Sequence, residues 1–220
     1  MVLAPHIAVV DPAVRIPELD SYNNIARRST IKTTYHLPAM FGMESLVDAG
    51  TPAAIIIMGS GASVYDEQPW QQPFNDWLKP LMDRGIPTLG LCYGHQLIAH
   101  LYGGKVGYVF PDQTKLKGFR EVSLYSNRFW SAEETGPLVV SHRESVTTTP
   151  PQFQIAASSP LIPSDGLAHE TLPIWSFQTH PEATAAFLRH GDIPWSGNPA
   201  DFTFGHRILQ AFLDYVKKAS

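Results

Sequence analysis

Short apolar runs alternate with stretches of helical spacing along the first half of the chain. Residues 6–10 form such a run, closed by Asp11-Pro12, and residues 31–35 read as a second, edge-like strand. Residues 53–58, 86–91 and 174–178 are further runs of the same kind. An apolar run without polar alternation is what a strand covered on both faces requires. Between the runs, residues 18–28 place Tyr22, Ile25 and Ala26 on one helical face, and 43–49 read as a short helix. Residues 74–84 are helical in pattern, with Pro80 expected to kink or shorten them because it lacks an N–H. Residues 97–102, 183–189 and 204–217 are the remaining helical stretches. Strands alternating with helices predict an α/β fold: a mostly parallel, open twisted sheet between two helical layers. After Gly104 the pattern changes to short strands near 106–110, 118–124 and 153–157, which predicts a small antiparallel extension. Residues 65–73 and 190–200 are rich in turn formers and read as loops. The first could cover a site, although a surface loop is the ordinary role.

The chemistry concentrates at Gly90-Leu91-Cys92-Tyr93-Gly94-His95-Gln96, which holds the only cysteine. A strand that turns sharply into a helix through Gly-x-Cys-x-Gly needs small residues on both sides of the bend, since the backbone there is strained and closely packed. The turn lifts the sulfur above the sheet edge, where the N-terminus of the following helix favours a thiolate. The ordinary alternative is a small buried hydrophobe. A thiol nucleophile needs a base, and a base needs an orienting group. Thr179-His180-Pro181-Glu182 offers both where the run 174–178 stops: Pro181 can open a helix, and Glu182 in its first turn would lie close enough to hold one imidazole nitrogen. Separately, Glu182 could be a helix-dipole partner and His180 a satisfied histidine; together on one sheet edge with the cysteine they point to catalysis.

These residues resemble the class I glutamine amidotransferases, whose triad is a Cys in Gly-x-Cys-x-Gly and a His and Glu in His-Pro-Glu. The similarity is nearest to the amidotransferase domain of GMP synthases and its free-standing relatives, and it runs from Ile7 to about Glu182. Ile55-Ile56-Ile57-Met58-Gly59-Ser60-Gly61 resembles the second strand and its glycine loop, and Ser141-His142 the substrate-pocket segment. The resemblance implies a flavodoxin-like three-layer fold and catalysis by Cys92, His180 and Glu182. An oxyanion on the attacked carboxamide needs two preorganised N–H donors; Tyr93 is expected to supply one and the loop Gly59, Ser60, Gly61 the other. By the same resemblance Gln96, Ser141 and His142 bind the substrate glutamine. Two positions depart from the common pattern: Thr179 stands where the family usually has Phe, and Arg143 stands where the synthases often carry a small residue.

A chain of 220 residues, 44% hydrophobic, can bury one sizeable core, so residues 1–220 are expected to form a single domain. The net charge of −4 and the lack of a Lys or Arg run beyond pairs such as Arg27-Arg28 and Lys217-Lys218 argue against a nucleic-acid partner, which a basic face would mark. One cysteine excludes an internal disulfide and suits a reducing compartment, and no stretch suits a signal peptide or a membrane span. A cytoplasmic address is expected. Nine histidines raise the question of a metal, but none is spaced as His-Glu-x-x-His and a second cysteine is absent. No metal and no cofactor are expected. Three functions remain open: a glutamine-hydrolysing amidotransferase that hands ammonia to a separate synthetase subunit, a free-standing hydrolase of γ-glutamyl compounds, and a non-catalytic regulatory or binding protein.

Overall fold

The computed structural model describes residues 5–219. The chain runs β1 (His6–Val10), α1 (Leu19–Arg28), β2 (Lys32–His36), α2 (Pro38–Phe41), α3 (Glu44–Asp48), β3 (Ala54–Ile57), α4 (Gln71–Asp83), β4 (Thr88–Leu91), α5 (Tyr93–Leu101) and β5 (Lys105–Tyr108). It continues through β6 (Leu116–Leu124), β7 (Glu134–His142), β8 (Glu144–Thr148), β9 (Phe153–Ser158), β10 (Gly166–His169), β11 (Ile174–Phe177), α6 (Ala185–His190), a 3₁₀ turn (Pro199–Phe202) and α7 (Thr203–Ala219).

Nine strands form one sheet in the order β2-β1-β3-β4-β11-β10-β9-β6-β7, and β5 pairs with β8 in a separate ribbon. Strands β2, β1, β3, β4 and β11 are mutually parallel, and the sheet continues antiparallel from β10 to β7. Because side chains alternate across a strand, the apolar runs feed two cores. Ile7, Val9, Ile56, Leu89, Leu91, Trp175 and Phe177 pack with Ile25 of α1 and with Ile208, Leu209 and Phe212 of α7. Ala8, Val10, Ile55, Ile57 and Ile174 pack with Phe74, Leu78 and Met82 of α4 and with Leu97 and Ile98 of α5. The result is the expected three-layer α/β sandwich.

Several elements differ from the pattern reading. Helix α4 begins at Gln71 and runs through Pro80 to Asp83, so the loop read as 65–73 ends at Trp70 and Pro80 does not shorten the helix. Pro73 lies in the first turn, where no N–H is needed. Pro80 removes one hydrogen bond, yet burial of Phe74, Leu78, Leu81 and Met82 holds the last turn to the sheet. Strands β7, β8 and β10 carried too weak a pattern to be read; β7 contains Gly136 and Pro137 and is tolerated because it is the sheet edge. Within 190–200, α6 reaches His190 and the 3₁₀ turn starts at Pro199. Among the described residues no helix is long and apolar enough to cross a membrane.

Candidate active site

Three adjacent parallel strands, β3, β4 and β11, end at the site. Their register pairs Ile57 with Gly90 and Leu91 with Phe177. One or two residues further on, Gly59 and Gln178 therefore flank Cys92, whose N–H donates to Phe177 O at 2.8 Å. Carboxyl ends of strands in an open α/β sheet are where such folds place ligands. Cys92 has φ 52° and ψ −100°, a backbone conformation that L residues rarely adopt. The flanking glycines permit it: a Cβ on Gly94 would lie 2.5 Å from Ile57 O, and one on Gly90 would lie 2.6 Å from Gly94 O. Helix α5 starts immediately after the cysteine, and Gln96 N–H donates back to Cys92 O at 3.1 Å.

His180 and Glu182 form a buried pair, His180 Nδ1 to Glu182 Oε1 at 2.8 Å, with side chains 4% and 1% exposed. A Cβ on Gly59 would lie 2.9 Å from His180 Cε1 and 3.6 Å from Cys92 Cβ. The missing side chain of Gly59 thus leaves the space in which imidazole and thiol meet. His180 Nε2 is buried and makes no hydrogen bond among the described residues. Burial alone would disfavour the imidazolium, but the Glu182 carboxylate and the Cys92 sulfur outweigh it and push the His180 pKa up to about 10. One expectation changes here. Glu182 is not in a helix opened by Pro181; it lies in a turn closed by Ala183 N–H to His180 O at 3.1 Å, and α6 is capped later by Thr184. The tight turn still folds the carboxylate back onto the imidazole two residues earlier.

A histidine whose folded-state pKa is raised contributes stability that is complete below its ordinary value of 6.5 and is lost as pH rises through about 10. The stability difference between wild type and Glu182→Gln is therefore expected to be largest near pH 6 and to shrink toward pH 10. Urea unfolding midpoints across that range check it; a gap that grows with pH would contradict the charge assignment.

The loop Gly59, Ser60, Gly61 follows β3, and of its glycines Gly59 is the one beside Cys92 and His180. Ser60 Oγ donates to Pro12 O at 2.6 Å and accepts from Ala62 N–H at 3.1 Å, so the hydroxyl pins the loop to the turn after β1. The Tyr93 N–H belongs to the first helical residue of α5, a donor with no intrahelical acceptor. Its ring is buried, and its hydroxyl accepts from Gln71 Nε2 at 3.1 Å.

Gln96 and His142 meet on one carbonyl. Gln96 Nε2 donates to Glu144 O at 2.8 Å, and His142 Nδ1 lies 2.9 Å from the same oxygen. His142 Nε2 faces Arg120 Nη1 at 3.4 Å. Burial, with the Arg120 charge beside it, pushes the His142 pKa down to about 3, so the ring is neutral and protonated on Nδ1. Arg120 in turn donates to the fully buried Asp165 at 2.6 Å. Ser141 is half-buried on β7 opposite Lys117. Arg143 is exposed, gives only its carbonyl to Val109 N–H, and has no ion-pair partner among the described residues. Thr179 is buried, and its hydroxyl has no hydrogen-bond partner among the described residues.

The sequence reading missed Gln178, whose Nε2 lies 3.7 Å from Cys92 Sγ, and the Arg120–Asp165 pair beside His142. Gln178 had a signal: it is a polar residue closing an apolar run. Arg120 had none, because an arginine in a short alternating strand is ordinarily solvated.

The open α/β sheet thus carries a cysteine at a strand-to-helix bend and a buried His–Glu pair at the neighbouring strand end. Residues 20–189 match the family model of class I glutamine amidotransferases, and the chain belongs to that family. It is 36% identical over 151 residues to GMP synthase [glutamine-hydrolyzing] of Cupriavidus taiwanensis, and 36% identical over 151 residues to that of Ralstonia pickettii. Each match covers 64% of this chain and 26% of the relative, so the chain corresponds to about a quarter of those proteins. In solved structures the fold is shared with a glutamine amidotransferase of Thermotoga maritima, with TM-score 0.77, 16% identity and coverage of 97% and 98% of the two chains. A glutamine amidotransferase of Methylobacillus flagellatus gives TM-score 0.74 and 16% identity, covering 99% and 95%.

Proposed function

We propose that the chain is a single-domain thiol amidohydrolase that cleaves the side-chain amide of glutamine through Cys92, His180 and Glu182. The observation that carries this reading is the meeting, across Gly59, of a cysteine in a strained backbone with a buried histidine held by a carboxylate. The Cys92 thiolate attacks the carboxamide carbon, and the oxyanion is held by the amides of Tyr93 and of the loop Gly59, Ser60, Gly61. His180, carried as an imidazolium, protonates the departing nitrogen; the C–N bond breaks, ammonia leaves, and a γ-glutamyl thioester remains. His180 then takes a proton from water, the hydroxide adds to the thioester, and loss of the C–S bond frees glutamate and restores the thiolate–imidazolium pair. Gln96, Ser141 and His142 form the wall that receives the glutamine. Similarity to GMP synthases supports a synthetase as the acceptor of the ammonia.

A second reading, hydrolysis of γ-glutamyl compounds, is favoured by one feature. Lys115 and Arg143 lie opposite each other just past the paired residues Leu116 and His142, and among the described residues neither has an ion-pair partner. Two neighbouring cations, one of them close enough to Cys92 to interact with it electrostatically, suit a substrate carboxylate beyond the scissile bond. Glutamate release from glutamine and from γ-glutamyl dipeptides decides between the two. Under the second reading Arg143→Ala lowers kcat/KM for the dipeptides by about 10-fold and spares glutamine. An unchanged ratio of the two specificity constants removes Arg143 from the argument, and silence on both substrates defeats both readings.

A further inference from the structure

The nearest side-chain donor to the sulfur outside the proposed triad belongs to a residue whose orientation the surrounding network dictates. Gln178 is fully buried, and its backbone is held by N–H donation to Asp165 O at 2.8 Å. Its Nε2 lies 3.7 Å from Cys92 Sγ, and its Oε1 accepts from Gln96 Nε2 at 3.2 Å. The opposite orientation is closed to it. Glu144 O can only accept, so it requires the Nε2 end of Gln96, at 2.8 Å, and the protonated Nδ1 of His142, at 2.9 Å. Gln96 Nε2 then has its second hydrogen for Gln178, which must present Oε1 to it and N–H to the sulfur. A flipped Gln178 would set N–H against N–H on one side and oxygen against sulfur on the other. At the far end Arg120, which cannot accept, faces His142 Nε2 and leaves Nδ1 as the only site for the ring proton. The polarity of the whole chain of bonds, from Arg120 to Cys92, is therefore set by groups that have no choice.

We propose that Gln178 is a further catalytic residue, which donates its carboxamide N–H to the Cys92 sulfur and favours the thiolate; this rests on the reading of Cys92 as the nucleophile. A neutral thiol accepts hydrogen bonds weakly and a thiolate strongly, so a fixed neutral donor stabilises the charged form selectively. It does so without adding a second cation beside His180. The donor also holds the sulfur on the β11 side of the bend, next to the strand end that carries His180.

Cys92 is the only cysteine, so its alkylation by iodoacetamide can be followed by intact mass without interference. The rate is measured against pH in wild type, in Gln178→Met, which keeps the length and removes the donor, and in Gln178→Glu, which keeps the shape and turns an acceptor toward the sulfur. In Gln178→Met the alkylation midpoint is expected to move up by about 0.5–1 pH unit and the rate at pH 7 to fall about 3- to 10-fold. Gln178→Glu is expected to fall further, more than about 10-fold, because two like charges would meet. Glutamate release falls in the same order. Circular dichroism and the thermal transition establish folding; if the apolar variant does not fold, the isosteric Gln178→Glu decides alone. A folded variant with the wild-type alkylation profile overturns the proposal. Alkylated wild type tests the underlying reading separately. If it still hydrolyses glutamine, Cys92 is not the nucleophile, whereas an alkylation-sensitive enzyme with unshifted variant profiles overturns only the role of Gln178.

Discussion

Cys92→Ser is expected to lower glutamate release by at least about 10³-fold while the far-UV circular dichroism stays unchanged. The hydroxyl is a far weaker nucleophile at neutral pH, and the groups around this atom suit a large, polarisable anion. Gln178 Nε2 reaches the sulfur at 3.7 Å, a separation typical of sulfur and too long for a hydrogen bond to oxygen. The variant alters one buried atom and leaves the flanking glycines in place, so the bend between β4 and α5 persists. Cys92→Ala is expected to be equally inactive. Steady-state glutamate release checks both; near-normal turnover by the serine variant would remove Cys92 from the chemistry.

His180→Ala is expected to lose nearly as much activity as the cysteine variants, and it is expected to lose stability as well. It removes the proposed proton carrier, and it also leaves the Glu182 carboxylate, 1% exposed, without its charge partner. Stranding one member of a buried pair costs about 3–5 kcal/mol. Glu182→Gln is the milder change: it keeps a hydrogen-bonding group against Nδ1 and leaves a base that is less well aimed, so measurable activity remains. The two variants are compared by kcat/KM and by urea unfolding at pH 7. Wild-type rates in both would turn attention to His142. That ring is a poor substitute, since it is neutral and has both nitrogens engaged, by Arg120 and by Glu144 O.

Much of this site was legible in the residues because its signals are local. Gly90, Cys92 and Gly94 occupy a single bend, and the steric demand of that bend is written in consecutive residues. His180 and Glu182 are two positions apart, so a turn suffices to join them, and the pairing holds although the expected helix begins later, after Thr184. The inner parallel strands β1, β3, β4 and β11 were readable from their apolar runs, which two-sided burial requires, whereas the edge strand β2 is largely polar and half-exposed. The antiparallel strands β7, β8 and β10 were not readable. β7 is the sheet edge, β8 lies in a separate ribbon, and β10 is only four residues long between β11 and β9, so neighbouring strands decide the conformation more than the residues' own pattern does.

Other features depend on which strands become neighbours. Gln178 meets Cys92 across 86 residues because β11 inserts beside β4 in register, with Phe177 opposite Leu91. Arg120 finds Asp165 across 45 residues, and Gln96 finds Glu144 O across 48. In the sequence each of these is an isolated polar residue, for which solvent is the ordinary surrounding. Hydrogen-bond orientation was equally out of reach, because it follows from an acceptor that cannot donate, Glu144 O, and a donor that cannot accept, Arg120. The identities of Cys92, His180 and Glu182 could be read from short motifs, since covalent neighbours create their local geometry. The charge of His180, and the direction in which Gln178 faces the sulfur, arise only when burial and strand order bring distant groups within reach.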